Sequence, residues 1–207
     1  MKKNLLAVAA TLAAAAIPTI ASAQLAFNVG AVTDYRYRGL SQSQLKPALQ
    51  GGVDYTAGGF YVGAWASTIR WVKKSGGDAN VEIDLYAGYK GEIAKDFGYD
   101  VGVLTYIYPS NKLSPSANTT ELYGALTFGP ATLKYSHAVT NTFAFADSKN
   151  SGYLDLSATF EVMGVSLTPH VGHQSIKHNS ASSYTDYSLT VSKDFNGLVP
   201  SLAVVGT

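Results

Sequence analysis

The sequence predicts an all-β protein, an antiparallel up-and-down transmembrane β-barrel of about 12 strands. Eleven short stretches within residues 28–205 alternate polar and apolar residues with a period of two, as strands with one polar and one apolar face do. Long and short connections alternate between these stretches, which places all long loops at one end of a sheet, as in outer-membrane barrels. Charged residues make up only 14% of the chain, well below the ~25% of soluble domains.

The N-terminus predicts export. Two lysines precede an apolar run over residues 5–17, and Ala21-Ser22-Ala23 follows. This order is typical of a secretory signal peptide, and the run is too short for a membrane-spanning helix. We expect cleavage before Gln24. The sequence therefore predicts a signal peptide over residues 1–23 and an outer-membrane β-barrel domain over residues 24–207.

The strands follow from the alternation and from turn signals such as Asn196-Gly197. Their predicted bounds are 27–39, 48–55, 60–67, 80–90, 99–108, 120–128, 131–139, 152–160, 165–173, 184–193 and 198–205. The predicted long connections are 40–47, 68–79, 109–119, 140–151 and 174–183. Bacterial barrels usually have an even number of strands, and an open edge is costly in a bilayer. We therefore expect the chain to be C-terminally truncated and to lack a twelfth, closing strand; a miscount of one strand is the alternative.

Alternation alone does not tell which face is wet, because a lipocalin-like barrel has an apolar interior. Aromatic residues near the predicted strand ends favour the membrane, since such residues form girdles at the two lipid interfaces. They are Phe27, Tyr37, Tyr55, Phe60, Tyr61, Trp71, Tyr89, Tyr99, Tyr108, Phe128 and Phe160. The predicted strand number also exceeds the eight of lipocalins.

Six segments carry a resemblance to a known family. They are DYRYRGLSQS (34–43), PALQGGVDY (47–55), GFYVGAWAS (59–67), VEIDLYAGYKGE (81–92), YDVGVLTYIYP (99–109) and TELYGALTFGP (120–130). These segments resemble the TorF family of proposed porins, outer-membrane proteins first catalogued as conserved and of unknown function. The resemblance covers most of the N-terminal half of the mature chain and implies pore function. Members of that family generally continue to a closing strand with an aromatic end, which this sequence lacks.

Five charged residues are candidates for lining a pore. Asp34, Arg36 and Arg38 share one face of the first predicted strand, and Glu82 and Asp84 share the polar face of the fourth. On a lumen wall they would filter ions by attraction and exclusion. The structural alternative is that Asp34 pairs with an arginine in a crowded interior. Paired carboxylates also occur in acid–base catalysis, but a wet surface explains the spacing of Glu82 and Asp84 equally well.

Three histidines raise the question of a metal site. His170 and His173 are three residues apart on a predicted strand, so their side chains should lie on opposite faces, and His178 falls in a loop. We therefore expect no metal and no other cofactor. The chain contains no cysteine and no GxSxG signature, so we expect no enzymatic activity.

The sequence predicts a porin in the outer membrane that allows passive diffusion of small polar solutes or ions. One alternative is a non-conducting structural or adhesive barrel that acts through its long outer loops. Another is an outer-membrane enzyme, which would show a cluster of ionisable side chains at one barrel end. The expected partners are outer-membrane lipids, small polar solutes or ions, the barrel-assembly machinery and periplasmic chaperones. Nucleic acid is not expected, because no basic patch is present.

Overall fold

β-Strands make up most of the chain that the computed structural model describes, residues 5–11 and 23–207. The strands are β1 (Leu5–Thr11), β2 (Gln24–Val32), β3 (Arg36–Tyr37), β4 (Leu40–Ser41), β5 (Ala48–Ala57), β6 (Phe60–Thr68), β7 (Val81–Ala94), β8 (Phe97–Ile107), β9 (Thr119–Phe128), β10 (Ala131–Ala138), β11 (Gly152–Ala158), β12 (Phe160–Val162), β13 (Val165–Ser175), β14 (Tyr184–Ser192) and β15 (Val199–Gly206). One short α-helix, α1 (Trp71–Lys74), and a 3₁₀ turn (Ser180–Ser182) complete the described elements. None of the described helices has the length and apolar character needed to cross a membrane.

One antiparallel sheet contains 13 of these strands, in the order β11-β10-β9-β8-β7-β6-β5-β2-β1-β15-β14-β13-β12. An additional pairing joins β11 to β13, from Gly152 opposite Ser175 to Ser157 opposite His170. The predicted all-β antiparallel sheet of about 12 strands is confirmed. Tight turns such as 58–59 and 129–130 lie at one end, named here the turn end, and the long connections at the other, the loop end.

Strand β1 lies within the predicted signal peptide. It pairs with β15 from Leu5 to Thr11 and with β2 over the three residues from Ala9 to Thr11. Residues 21–22 of the predicted cleavage motif lie outside the described residues. Removal of residues 1–23 would take β1 from its position between β2 and β15.

The first predicted strand is wrong in its second half, because β2 ends at Val32 and the chain then leaves the sheet. The carboxylate of Asp34 explains the departure, since it accepts hydrogen bonds from Ser41 Oγ (2.5 Å), Ser43 Oγ (3.1 Å) and the Leu45 amide (3.1 Å). These bonds fold residues 33–47 into a compact segment, named here the inner hairpin. Its strands β3 and β4 are joined by Arg38-Gly39, both at positive φ (46° and 78°), as a tight two-residue hairpin turn requires.

The two faces of the sheet differ in polarity. One face, named here the outer face, exposes large apolar side chains, including Phe27, Val29, Leu49, Val62, Leu85, Leu122, Leu126, Leu154, Leu156, Leu189 and Val204. The opposite, inner face carries the inner hairpin and buries polar side chains, among them Ser67, Glu82, Glu121, Ser136, Gln174 and Asp186. Of the aromatic residues expected at the interfaces, Phe27, Tyr55, Phe60, Tyr89, Phe128 and Phe160 are exposed. Tyr108 is buried, and Tyr37 packs against the buried core of the inner face.

Tyrosine rings cover glycines on neighbouring strands. Tyr86 lies against Gly63, and Tyr123 lies against Gly102, where an added Cβ would also come within 2.6 Å of the Ala87 carbonyl oxygen. Such aromatic–glycine pairs fill the space of the missing side chain in a curved sheet. This packing gives a structural reason for the 14 Tyr and 20 Gly of the sequence.

Candidate functional site

The inner hairpin crosses the inner face and contacts strands that are distant in the sheet order. Its tip residue Arg38 bonds to Glu121 on β9 and to Gln174 on β13. Beside it, Gly39 lies so close to β14 that a Cβ would come within 2.6 Å of Asp186 Cβ. Because one short hairpin contacts all three strands, the sheet must curl around it.

Arg38 anchors the hairpin. Its Nη1 and Nη2 donate to the two carboxylate oxygens of Glu121 at 2.9 and 2.7 Å, and Nη1 also donates to Gln174 Oε1 at 2.7 Å. The guanidinium stacks on the rings of Tyr37 (4.8 Å) and Tyr153 (4.2 Å). The side chains of Arg38 and Glu121 are only 6% and 3% exposed. A bidentate pair at such burial is strong, and loss of one partner leaves the other charge unpaired.

Aromatic and acidic side chains hold the base of the hairpin. Tyr35 donates its hydroxyl hydrogen to Glu82 Oε1 at 2.6 Å, and the hydroxyl of Tyr37 contacts that of Tyr106. Arg36 Nε lies 2.9 Å from Asp34 Oδ2 in an ion pair that lacks hydrogen-bond geometry. Asp34 thus pairs with an arginine, as the structural alternative predicted.

Asp84 differs from the other four candidate residues. It is paired in register with Trp65 on β6 and Tyr106 on β8, on the inner face of the sheet. Its Oδ1 is buried and has no hydrogen-bond partner among the described residues. The structure therefore brings Asp34, Arg36, Arg38 and Glu82 into the contacts of the inner hairpin and leaves Asp84 beside them.

Three cavities follow one another along the inner face. A middle cavity of about 700 Å³ lies beside the hairpin, a loop-end chamber of about 510 Å³ lies above it, and a turn-end cavity of about 430 Å³ lies below. The middle cavity and the loop-end chamber share Tyr37 and Arg38 in their walls. The middle and turn-end cavities share Leu104 and Lys134. The middle cavity therefore adjoins each of the other two, and residues of the inner hairpin lie between it and the loop-end chamber.

A second ionisable cluster on the wall of the middle cavity was missed by the sequence analysis. His170 Nε2 lies 2.5 Å from Asp155 Oδ2, and His170 Nδ1 lies 3.6 Å from Asp186 Oδ1. Tyr153 donates to Asp186 Oδ2 at 2.9 Å. These residues come from β11, β13 and β14, and only their positions on the polar face of each strand could have suggested that they meet.

The three histidines do not meet. His170 lies on the inner face, whereas His173 is exposed and bonds to Thr185 Oγ1 at 2.9 Å. His178 bonds to the carbonyl oxygen of Asp147 at 2.9 Å. Within residues 23–207, no group of three or more histidine or carboxylate side chains has the arrangement of a metal site.

An exposed ion pair at the loop end contrasts with the buried pair of Arg38. Lys112 Nζ lies 2.8 Å from Asp78 Oδ2, and both side chains are more than half exposed. The hydrogen bond from Lys112 lowers the pKa of Asp78, and the same bond raises the pKa of Lys112. Solvent screens such a pair, so it contributes little to stability.

The comparisons with known proteins give one finding. A family model described as a bacterial protein of unknown function matches residues 16–207. Neither a curated protein nor a solved structure matches the chain.

Proposed function

The chain belongs to the Gcw_chp family, and we propose that it is an outer-membrane β-barrel whose narrow lumen lets small polar solutes or ions diffuse passively. The family description names no activity, so the proposal rests on the geometry. The resemblance of the N-terminal segments to the TorF porins leads to the same proposal.

The polarity of the two faces carries the proposal. Phe27 and Leu49 on the outer face are each 68% exposed, whereas Glu121 and Asp186 on the inner face are 2% and 1% exposed. In water this arrangement would expose a continuous apolar surface, which soluble monomers rarely do. In a bilayer the same surface faces lipid, and the charged groups face the interior of the barrel.

The pairing of β11 with β13 supports closure of the sheet into a barrel. These strands lie near opposite ends of the strand order, and a closed barrel requires contact between those ends. A barrel leaves no strand edge in contact with lipid, where each unpaired backbone group costs several kcal/mol. Strand β1 occupies the position between β2 and β15 and pairs with both.

The charges of the interior predict a preference for cations. Among the described residues, the carboxylates that line the middle and turn-end cavities are Asp34, Asp54, Asp100, Asp155 and Asp186. The arginines and lysines there are Arg36, Arg38, Lys90 and Lys134. Glu121 adds another carboxylate on the inner face, and fixed charges of this kind set ion preference.

Recording from single molecules in a planar bilayer tests the proposal. We expect small conductance steps and a reversal potential on the cation-selective side under a salt gradient. Heat-modifiable migration in detergent gels and recovery with outer membranes should accompany them. Recovery as a soluble periplasmic protein would contradict the membrane assignment, and a folded, inserted protein that stays silent even after release of the inner hairpin would contradict the pore.

The alternative is a non-conducting barrel, and the inner hairpin favours it. Arg38 binds to strands on two sides of the interior, so the hairpin obstructs the path between the middle cavity and the loop-end chamber. In that case the function would reside in the loops. The bilayer recordings distinguish the two, because a silent wild type that conducts after release of the hairpin is a gated pore, and one that stays silent is not a pore.

A further inference from the structure

We infer that the loop-end chamber is a binding site for a small, uncharged, largely apolar molecule with a hydrogen-bond acceptor, such as an aromatic ketone. The proposal goes beyond passive diffusion and does not depend on conduction. The volume of the loop-end chamber, about 510 Å³, falls within the range of about 300–1,000 Å³ of small-molecule sites.

The chamber differs in chemistry from the two cavities below it. Aromatic and aliphatic side chains form its walls, including Trp71, Phe143, Phe145, Leu113, Ile176 and Tyr184. Arg38 is the one charged residue among the described residues that line it. The middle cavity, in contrast, contains Asp34, Asp155 and Asp186 in its walls. A charged solute would therefore prefer the middle cavity, and an apolar one the loop-end chamber.

The charge of Arg38 does not make the chamber an anion site. Glu121 neutralises the guanidinium through two hydrogen bonds, and its carboxylate would repel a second anion placed beside it. An uncharged acceptor avoids this repulsion. Because three guanidinium hydrogen bonds go to Glu121 and Gln174, the remaining N–H groups suit a neutral carbonyl or hydroxyl oxygen.

Two side chains in the wall carry polar groups without a partner. The indole Nε1 of Trp71 and the hydroxyl of Thr142 are buried, and neither has a hydrogen-bond partner among the described residues. Buried polar groups are usually paired, and each exception calls for an explanation. A ligand with an acceptor atom would supply that partner, whereas a pure hydrocarbon would not.

The two tryptophans of the chain provide the measurement, because Trp65 lines the middle cavity and Trp71 the loop-end chamber. In protein labelled with [¹⁵N]tryptophan and folded in detergent micelles, each indole N–H gives one NMR signal, and Trp65→Phe assigns them. The probes are acetophenone, ethylbenzene, which has nearly the same shape but no acceptor, and benzoate, which is charged. We expect acetophenone to shift the Trp71 signal to saturation and leave the Trp65 signal nearly unchanged, with ethylbenzene and benzoate binding at least several-fold more weakly.

The variant Thr142→Val keeps the shape of the side chain and removes its hydroxyl. It should weaken acetophenone binding about three- to tenfold and leave ethylbenzene binding unchanged. Equal, non-saturating shifts of both indole signals would mean partition into the micelle and would overturn the proposal, as would tighter binding of benzoate. A saturating shift of the Trp71 signal in a protein that does not conduct would support the binding site and contradict the pore.

Discussion

Replacement of Arg38 by methionine should release the inner hairpin from the walls of the sheet. The change removes the two bonds to Glu121 (2.9 and 2.7 Å), the bond to Gln174 (2.7 Å) and the stacking on Tyr153. It also leaves the carboxylate of Glu121 buried without its cation. Breaking a buried pair in this way costs about 3–5 kcal/mol. If most of this free energy holds the hairpin in place, its opening equilibrium rises by about a hundredfold or more.

Single-channel recording measures the effect as a larger conductance, or as a larger fraction of time in an open level, for Arg38→Met than for wild type. Arg38→Lys keeps the charge but loses the two-pronged geometry, so it should open the path to an intermediate extent. Arg38→Met combined with Glu121→Met replaces the buried pair by apolar groups and should restore the closed level, since such replacements are often neutral.

The exposed ion pair of Lys112 and Asp78 supplies the control. Lys112→Gln removes a cation at the same end of the sheet, from a pair that solvent screens, and it should leave the conductance unchanged. An Arg38→Met protein with the conductance of a conducting wild type would refute the reasoning, because the hairpin would then not be the obstruction.

Four further predictions follow from the fold. A tag inserted at Ser75 in the 68–79 connection should be labelled on intact cells, and a tag at Gly129 should not. Labelling of the Gly129 tag alone would mean that the topology is the inverse of the one expected. Replacing Arg36 and Arg38 together by glutamine should move the reversal potential further in the direction of cation selectivity, because the carboxylates of Asp34 and Glu121 lose their partners. An unchanged reversal potential would mean that these arginines lie off the ion path. Gly102→Ala should destabilise the protein by about 1–3 kcal/mol in urea unfolding, because the added methyl meets the ring of Tyr123 and the carbonyl oxygen of Ala87. Gly98→Ala in the same strand should be nearly neutral, because its added methyl would lie 3.5 Å from the nearest atom, the carbonyl oxygen of Gly91. Equal unfolding midpoints for the two variants would show that Tyr123 moves aside freely. A chain without residues 1–23 should show less heat-modifiable protein than the same chain extended by a closing strand, because the edges of β2 and β15 lose β1 as their partner. Equal amounts of heat-modifiable protein would mean that the two edges pair directly.

Local periodicity determined most of the sheet. The alternation over residues 80–90 predicted β7, observed at Val81–Ala94, and the Gly129-Pro130 turn predicted the boundary between β9 and β10. A period of two is a property of neighbouring residues, so a single sequence contains it in full. The same alternation predicted that Glu82 and Asp84 share a face, which the structure shows to be the inner one.

The end of the first strand was not predictable in this way. Residues 33–38 keep the alternation of charged and aromatic residues, yet Asp34 binds Ser41 and Ser43 instead of continuing the ladder with β5. The competing bonds involve residues seven and nine positions further along the chain, beyond the range of a strand pattern. Arg36 and Arg38 therefore lie on the inner hairpin and not on the strand to which the alternation assigned them.

The sequence by itself determined the class of sheet, the strands and the alternation of long and short connections, because these depend on residues close together in the chain. Tertiary structure alone decided what the charged residues contact. Arg38 meets Glu121 across 83 positions and Gln174 across 136, and His170 meets Asp155 across 15. Each of these residues follows the polar alternation of its own segment, and no local pattern distinguishes it from its neighbours. The curl of the sheet brings the strands to one hairpin, and that curl is a property of the whole set of strands.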